Sequence, residues 1–527
     1  SRIETLVVEG GDDDDVLNAS GSAAVGGPAS FAVHLFGGTG DDLLIGSAGA
    51  ETLSGGEGDD ELIGGPGNDV YLFAADTDLG VDTINEDGGG IDTLDFSQTQ
   101  VASIAIDLSV SEAQIVNDNL TLILASGSVV ENVIGGQSTD LLSGNALDNH
   151  FVGGNGNDTY RFDADENLGD DSIDESGGGI DTLNFSETTE QSITLDLSSV
   201  SQQVVNANLS LTLFSSQAVE NVIGGAFGDT LLGNDLDNLL IGADGDDVLQ
   251  AFGGNDTLIG ELGDDTLVGG IGGDVYVFDA DASLGSDIVD EQENLEDELD
   301  QLDFSSTTSD RVTIDLADVS AQLVNSNLTL TLASDASIES VLGGESADVI
   351  TGNALVNILD GGKGDDVIEG AEGDDVLIGQ AGDDLLIGGS GDDTYEYKAN
   401  EDLGTDTIDD STEGFDTLDF SQTAAEGIAV DLSLVTLQAV NANLNLRLQS
   451  GDVIDDVIGT ELNDSIRGND LDNILIGGGG DDYLAGGPGD DVYTFSADAP
   501  LGSDTVEELL GEGNDTIDFS GTLTQSI

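Results

Sequence analysis

Cysteine, tryptophan and methionine are absent from this chain of 527 residues, and Lys and Arg together number only 7. Without cysteine there is no disulfide framework and no thiol nucleophile. Aromatic residues make up 4% of the sequence, too few for the bulky core that a chain of this length would otherwise pack. With 109 acidic residues against those 7, the formal charge is −102. A nucleic acid, itself a polyanion, would be repelled. Self-repulsion at this density opposes any compact state until cations neutralise it. No apolar run approaches the ~20 residues that span a bilayer, so no membrane insertion by a helix is expected.

Catalytic patterns are missing as well. There is no H-E-x-x-H metalloprotease motif and no G-x-S-x-G elbow, and the two histidines, His34 and His150, share no spacing with other ligands. Carboxylate pairs could in principle serve glycoside hydrolysis, but repeated metal ligation explains them more simply. The chain is expected not to be an enzyme.

What is present is a repeat. From Gly361 to Glu396 the sequence reads GGKGDDVIE, GAEGDDVLI, GQAGDDLLI, GGSGDDTYE: four nine-residue words without a gap. Each has Gly first and fourth, Asp fifth and sixth, and an apolar residue eighth. Blocks of such words start at Gly37 (four words), Gly135 (three), Gly224 (six), Gly343 (six) and Gly459 (four). Every block ends with Tyr at position eight and a second aromatic two residues on, expected to plug the core. Between blocks lie connectors 73–134, 162–223, 278–342 and 397–458, of 62, 62, 65 and 62 residues; the extra three fall in the acidic stretch Glu291–Gln301. The larger units are therefore 73–161, 162–277, 278–396 and 397–494. Before them, 1–72 reads as the end of an earlier unit plus a block; after them, 495–527 reads as the start of a truncated fifth. The chain is expected to be a segment of something longer.

The connectors keep traces of the word, as in TDLGVDTIN (77–85) and DGGGIDTLD (87–95). Their second halves, such as SIAIDLS and NLTLILAS, alternate like strands. Whether connectors continue a solenoid or form separate small sheets stays open. A three-word block differs from four- and six-word blocks by an odd number, so the connectors flanking it are expected to leave from opposite faces.

Physically, the glycines permit a sharp loop with positive φ. The residues around position eight form a short strand with one buried side chain. Two words make one coil, and word n stacks on word n+2 at roughly 4.8 Å. Stacking brings carbonyls and position-six carboxylates into an all-oxygen cage suited to a hard cation. Without the cation, the stacked carboxylates repel. A flexible acidic linker would lack the regular apolar residue at position eight.

These words resemble the G-G-x-G-x-D-x-U-x repeat of the RTX, or haemolysin-type calcium-binding, family. The resemblance implies an all-β fold: a right-handed parallel β-roll or β-helix solenoid stabilised by several Ca2+ ions, with irregular β connectors between the nonapeptide blocks. It also implies secretion by a one-step, type I route. Carried over residue by residue, the metal ligands are Asp42, Asp60, Asp69, Asp140, Asp158, Asp229, Asp247, Asp256, Asp265, Asp274, Asp348, Asp366, Asp375, Asp384, Asp393, Asp464, Asp482 and Asp491. The connector words add Asp82, Asp92, Asp171, Asp181, Asp287, Asp406, Asp416, Asp504 and Asp515. Stacked partners are expected to be Asp42 with Asp60, Asp366 with Asp384, Asp375 with Asp393, and Asp247 with Asp265. The second words of the later blocks depart from the pattern. They have Leu at position four and Asn149, Asn238, Asn357 or Asn473 at six, and are read as ion-free coils. Glu51, at position six of GSAGAETLS, is a doubtful ligand.

The functional expectation is an extracellular or cell-surface calcium-binding structural protein: a repetitive shaft of a filament, surface layer or adhesin that folds on calcium after secretion and could self-assemble. The alternative is the export and folding module of a larger secreted enzyme or toxin. A polysaccharide partner is weakly supported, because basic residues for anionic sugars are almost lacking.

Overall fold

The computed structural model describes residues 5–20, 32–86, 88–125, 130–291, 298–410, 414–496, 502–508 and 513–520. Part of the acidic insertion (292–297) and the chain ends (1–4 and 521–527), where truncation inside a unit was inferred, lie outside the described residues. Among the described residues, every regular element is a β-strand.

Each word makes one loop and one short strand. In GGTGDDLLI the strand is Leu43–Ile45, with Leu44 buried between two half-buried neighbours. Position eight is buried throughout this block, at Leu44, Leu53, Leu62 and Tyr71. Alternate words feed opposite sheets, so partners sit 18 residues apart: Leu44 pairs in register with Leu62, and Leu35 with Leu53. The two sheets face each other and share a thin core built from one side chain per word. Burying each leucine contributes about 2 kcal/mol, and the row substitutes for a thick core. The loops stack so closely that glycine is required. Gly56 has φ +114°, and a Cβ there would lie 1.9 Å from the carbonyl oxygen of Gly38.

The chain divides into two compact units, residues 1–256 and 257–527. In the first unit, one sheet runs in parallel from Thr5–Gly11 through Ala32–Thr39, Glu51–Glu57, Val70–Leu72, Thr93–Asp95, Asn132–Ile134, His150–Val152 and Gly169–Ile173 to Leu209–Leu213. The facing sheet runs Val16–Asn18, Leu43–Ile45, Glu61–Ile63, Gly80–Ile84, Leu120–Leu124. There it ends, because Gln114–Asn117 folds back antiparallel on Leu120–Leu124. A new sheet begins on that side with Ala105–Asp107 and Leu141–Ser143. At the next connector the roles exchange: Gln203–Val204 pairs antiparallel with Leu209–Leu213 and closes the first sheet. The intervening block has three words, so consecutive connectors interrupt opposite sheets.

In the second unit a single sheet passes through both connectors, from Thr257–Leu262 by way of Gln301–Asp303, Ser340–Leu342, Thr417–Asp419 and Asp456–Ile458 to Thr516–Asp518. The facing side is closed twice, by Gln322–Leu323 against Leu328–Leu332 and by Gln438–Ala439 against Leu444–Leu448. Here the intervening block has six words, an even number, and both interruptions fall on the same side. The connectors thus continue the roll along one sheet and restart the other. The antiparallel outer strand is an element that the word pattern does not contain.

The block-end aromatics belong to this core. Tyr71 and Phe73 are buried, and Phe73 stacks on Phe96 with centroids 5.2 Å apart. Phe162 on Phe185, Phe278 on Phe304 and Tyr397 on Phe420 repeat the contact.

Candidate metal centres

The loops that join the strands carry the position-six carboxylates in vertical ladders. The backbone N–H of Asp42 donates to Asp60 Oδ1 at 2.8 Å, and that of Asp60 to Asp82 Oδ1 at 3.1 Å. Asp348, Asp366, Asp384 and Asp406 follow each other in the same way at 2.7, 2.8 and 3.2 Å. A parallel ladder joins Asp375 to Asp393 and Asp393 to Asp416 at 2.8 and 3.0 Å. One oxygen of each carboxylate therefore ties its coil to the previous one. Burial is the first cause of the raised carboxylate pKa values, and the stacked carboxylates' mutual repulsion adds to it, as with Asp42 on Asp60 and Asp393 on Asp375. Burial lifts Asp60 to about 6, Asp375 and Asp384 to about 7, and Asp366 and Asp406 to about 8.

The second oxygen is different. Oδ2 of Asp42, Asp60, Asp69, Asp366, Asp375, Asp384 and Asp393 is buried with no hydrogen-bond partner. Each is aimed at the first glycine of its own word. A Cβ on Gly37 would lie 2.2 Å from Asp42 Oδ2 and 2.4 Å from the carbonyl oxygen of Gly55, one coil on. At Gly370 the same construction meets Asp375 Oδ2 at 2.3 Å and the Gly388 carbonyl at 2.5 Å. Carboxylate and carbonyl oxygens converge where no side chain fits. An orphaned buried carboxylate oxygen is costly, and a set of converging hard oxygens fits Ca2+.

The remaining candidates fall on the same ladders. Asp140 donates to Asp158 and Asp158 to Asp181, both at 2.8 Å. Asp69 donates to Asp92 at 2.8 Å, Asp265 to Asp287 at 3.1 Å, and Asp491 to Asp515 at 3.2 Å. Asp464, Asp482 and Asp504 form a ladder at 2.9 and 3.2 Å. Asp229 donates to Asp247 Oδ1 at 2.6 Å, and Asp274 to Asp300 at 2.8 Å. Asp171 and Asp256 accept from the backbone of Asn149 and Asn238. Asp247 and Asp265 belong to different units.

Three groups deviate in informative ways. Asp140, Asp229, Asp348 and Asp464, in the first words of the later blocks, have both oxygens engaged: Oδ2 accepts from Gly136, Gly225, Gly344 and Thr460. Position four of those words is Ser138, Phe227, Ser346 or Leu462 rather than Gly, and these carboxylates leave no oxygen orphaned for an ion. The Asn residues close their loops without a charge. Asn357 Oδ1 accepts from Asn353 N–H at 2.8 Å, while its amide donates to the Glu339 carbonyl at 3.3 Å. Glu51 likewise turns inward, accepting from the Ser47 backbone and hydroxyl at 2.8 and 2.7 Å.

Sequence reasoning missed three sets of carboxylates. Glu131 accepts from Asp92 N–H at 2.7 Å, with Glu220, Glu339 and Asp455 in equivalent places. Their signal was an acid four residues before each later block. Asp300 was missed because the insertion shifts the register. A third set hydrogen-bonds the block-end tyrosines, always 15 residues downstream of them.

With this geometry in hand, residues 36–71, 45–79, 223–251, 241–276, 335–368, 360–395 and 458–493 match the RTX calcium-binding nonapeptide repeat family. Residues 83–176, which take in most of the first connector, the three-word block and the start of the second connector, match the C-terminal domain of the serralysin (M10) peptidases. No curated protein matches the chain. The chain carries RTX calcium-binding repeats on an all-β parallel roll that binds calcium, of the kind secreted by the type I route.

Proposed function

We propose that the chain is a shaft: a secreted structural segment whose repeated coils are set by calcium outside the cell and which assembles into a surface filament or lattice or forms an adhesin stalk. The observation that carries this reading is the sheet in the second unit that passes through both connectors without a break. A connector that continues the roll lets tandem units add length, whereas a connector that ended it would make separate beads.

The folding step follows from the ladders. Asp60, Asp366, Asp375, Asp384 and Asp393 hold the ion at their orphaned oxygens, together with the glycine carbonyls beside them. Bound calcium supplies the positive charge that the ladders lack. At low cytosolic calcium the chain's −102 charge opposes compaction and favours export as an extended polymer. At roughly millimolar external calcium, the range of extracellular modules, the coils close.

Electron microscopy of the purified chain in millimolar calcium tests the reading. A regular fibre or lattice is expected. Dispersed monomers at every concentration, with calcium-dependent folding intact, would favour the alternative of an export and folding module.

A further inference from the structure

At the end of each of the first four blocks the cage changes composition. Within a block, the oxygen facing the orphaned Asp Oδ2 over the first glycine is the carbonyl of a glycine one coil on, as with Gly55 over Gly37 and Gly388 over Gly370. Over the first glycine of the last word, a side-chain carboxylate stands in that place. A Cβ on Gly64 would meet Asp69 Oδ2 at 2.6 Å, Glu86 Oε2 at 2.7 Å and the Tyr71 hydroxyl at 2.6 Å. Gly153 faces Asp158, Glu175 and Tyr160, Gly269 faces Asp274, Glu291 and Tyr276, and Gly388 faces Asp393, Asp410 and Tyr395.

A third carboxylate completes each group: Asp92, Asp181, Asp300 and Asp416, with Asp491, Glu508 and Asp515 forming the fifth. In each group, oxygens of all three residues lie within 4.8 Å of one another. The tyrosine fixes the inserted acid, since Tyr71 Oη donates to Glu86 at 2.5 Å and Tyr395 Oη to Asp410 at 2.7 Å. That hydroxyl in turn accepts the N–H of the first glycine, at 3.0 Å for Gly64 and 2.9 Å for Gly388. Oxygens remain unpartnered inside the groups: Oδ2 of Asp69, Asp92, Asp158, Asp393 and Asp491, and Oε2 of Glu175. Three carboxylates around unpartnered, buried oxygens, braced by a hydroxyl, describe a receptor for a cation.

We propose that the five block ends form a second class of cation site, with Glu86, Glu175, Glu291, Asp410 and Glu508 as an added charged ligand. These sites take a hard divalent or trivalent ion more tightly than the two-carboxylate cages inside the blocks. Affinity in oxygen cages rises with ligand charge and rigidity, and the tyrosine supplies the rigidity. Because each site joins the last coil of a block to its connector, filling starts there and each block closes from its end. The proposal rests on the calcium reading above for the identity of its ion.

Terbium is the probe. The chain has no Trp, so luminescence excited through the protein is sensitised by tyrosine. Replacing the two tyrosines outside the groups, Tyr397→Phe and Tyr483→Phe, leaves the five block-end tyrosines as donors. In that full-length background, sensitised emission should appear in the tightest phase of a terbium titration. The five-fold variant Glu86→Gln, Glu175→Gln, Glu291→Gln, Asp410→Asn, Glu508→Gln should weaken that phase by at least about tenfold, with calcium-dependent circular dichroism retained. An unshifted titration with folding intact overturns the inference. Loss of calcium-dependent folding in the unmodified chain overturns the calcium reading instead. Should the five-fold variant not fold, Glu86→Gln alone must shift about one fifth of the sensitised amplitude to weaker binding, and an unchanged curve also overturns it.

Discussion

The backbone N–H of Asp375 donates to Asp393 Oδ1 at 2.8 Å, and the second oxygen of each carboxylate is buried with no hydrogen-bond partner. Asn357, one coil earlier, is held as firmly but leaves nothing unpartnered, because its amide bonds Asn353 and Glu339. Asp375→Ala should therefore remove the calcium shared with Asp393. Asn357→Ala should leave the calcium count unchanged and cost about 1–3 kcal/mol, since the Asn353 N–H loses its acceptor. Equilibrium dialysis and calcium-saturated melting of both variants check this. Equal calcium losses would contradict the ligand assignment.

Calcium withdrawal tests the roll as a whole. Orphaned oxygens recur in both units, for instance at Asp60 and Asp158 in the first and at Asp366 and Asp393 in the second. Chelation at neutral pH should abolish the β-sheet signal in circular dichroism, and added calcium should restore it. A spectrum that does not respond to chelator would end the folding-switch reading.

Protons should partly replace calcium. Burial raises Asp60, Asp158 and Asp393 to about 6, Asp375 and Asp384 to about 7, and Asp366 and Asp406 to about 8, all from an ordinary 3.8. The folded chain then binds more protons than the unfolded one between about pH 4 and 8, so calcium-free stability is greatest at the acid end of that window and lost as pH rises through it. In metal-free buffer, β-structure should be greater at pH 5 than at pH 8. With calcium present the trend reverses, because deprotonation creates the ligands. Metal-free folding that improves toward pH 8 would show that these carboxylates do not govern it.

Much of this was legible because the word is short and each position has one physical task. Position eight gives the buried row from Leu44 to Tyr71, position six gives the ladder, and the count of words gives the side on which each connector breaks a sheet. What was not legible has local causes. Glu86 escaped because it is itself the single residue between the words 77–85 and 87–95 and has no position in either, although its distance from Tyr71 is kept in all five copies. Gln114–Asn117 escaped because the strand is only four residues long and its register shifts between Ile115 and Asn117, so exposed Ile115 and buried Val116 are too short a pattern to read as alternation. The closed loops of Asp140 and its equivalents escaped because position six still reads Asp. Their difference lies two residues earlier, where a side chain replaces glycine.

Loop stacking sets the last prediction, at two adjacent coils. Ala371 has φ +84°, a left-handed conformation that suits glycine, and position two of its word is Gly in most others. Directly above it, Gly389 has φ +107°, and a Cβ there would lie 2.3 Å from the carbonyl oxygen of Ala371. Ala371→Gly relieves a conformational cost of about 1–2 kcal/mol but frees the unfolded chain by about 0.4–1 kcal/mol, for a net gain of about 0.5–1 kcal/mol. Gly389→Ala adds the same conformational cost to a backbone clash that no rotamer relieves, because the obstacle is a carbonyl. The coils must separate, loosening the cage of Asp375 and Asp393 beneath them, at a cost of about 2–4 kcal/mol. Opposite shifts of the calcium-saturated melting temperature are expected, together with weaker calcium binding in Gly389→Ala alone. If Gly389→Ala melts and binds calcium like the parent chain, the close stacking of these loops cannot be what orders the cage.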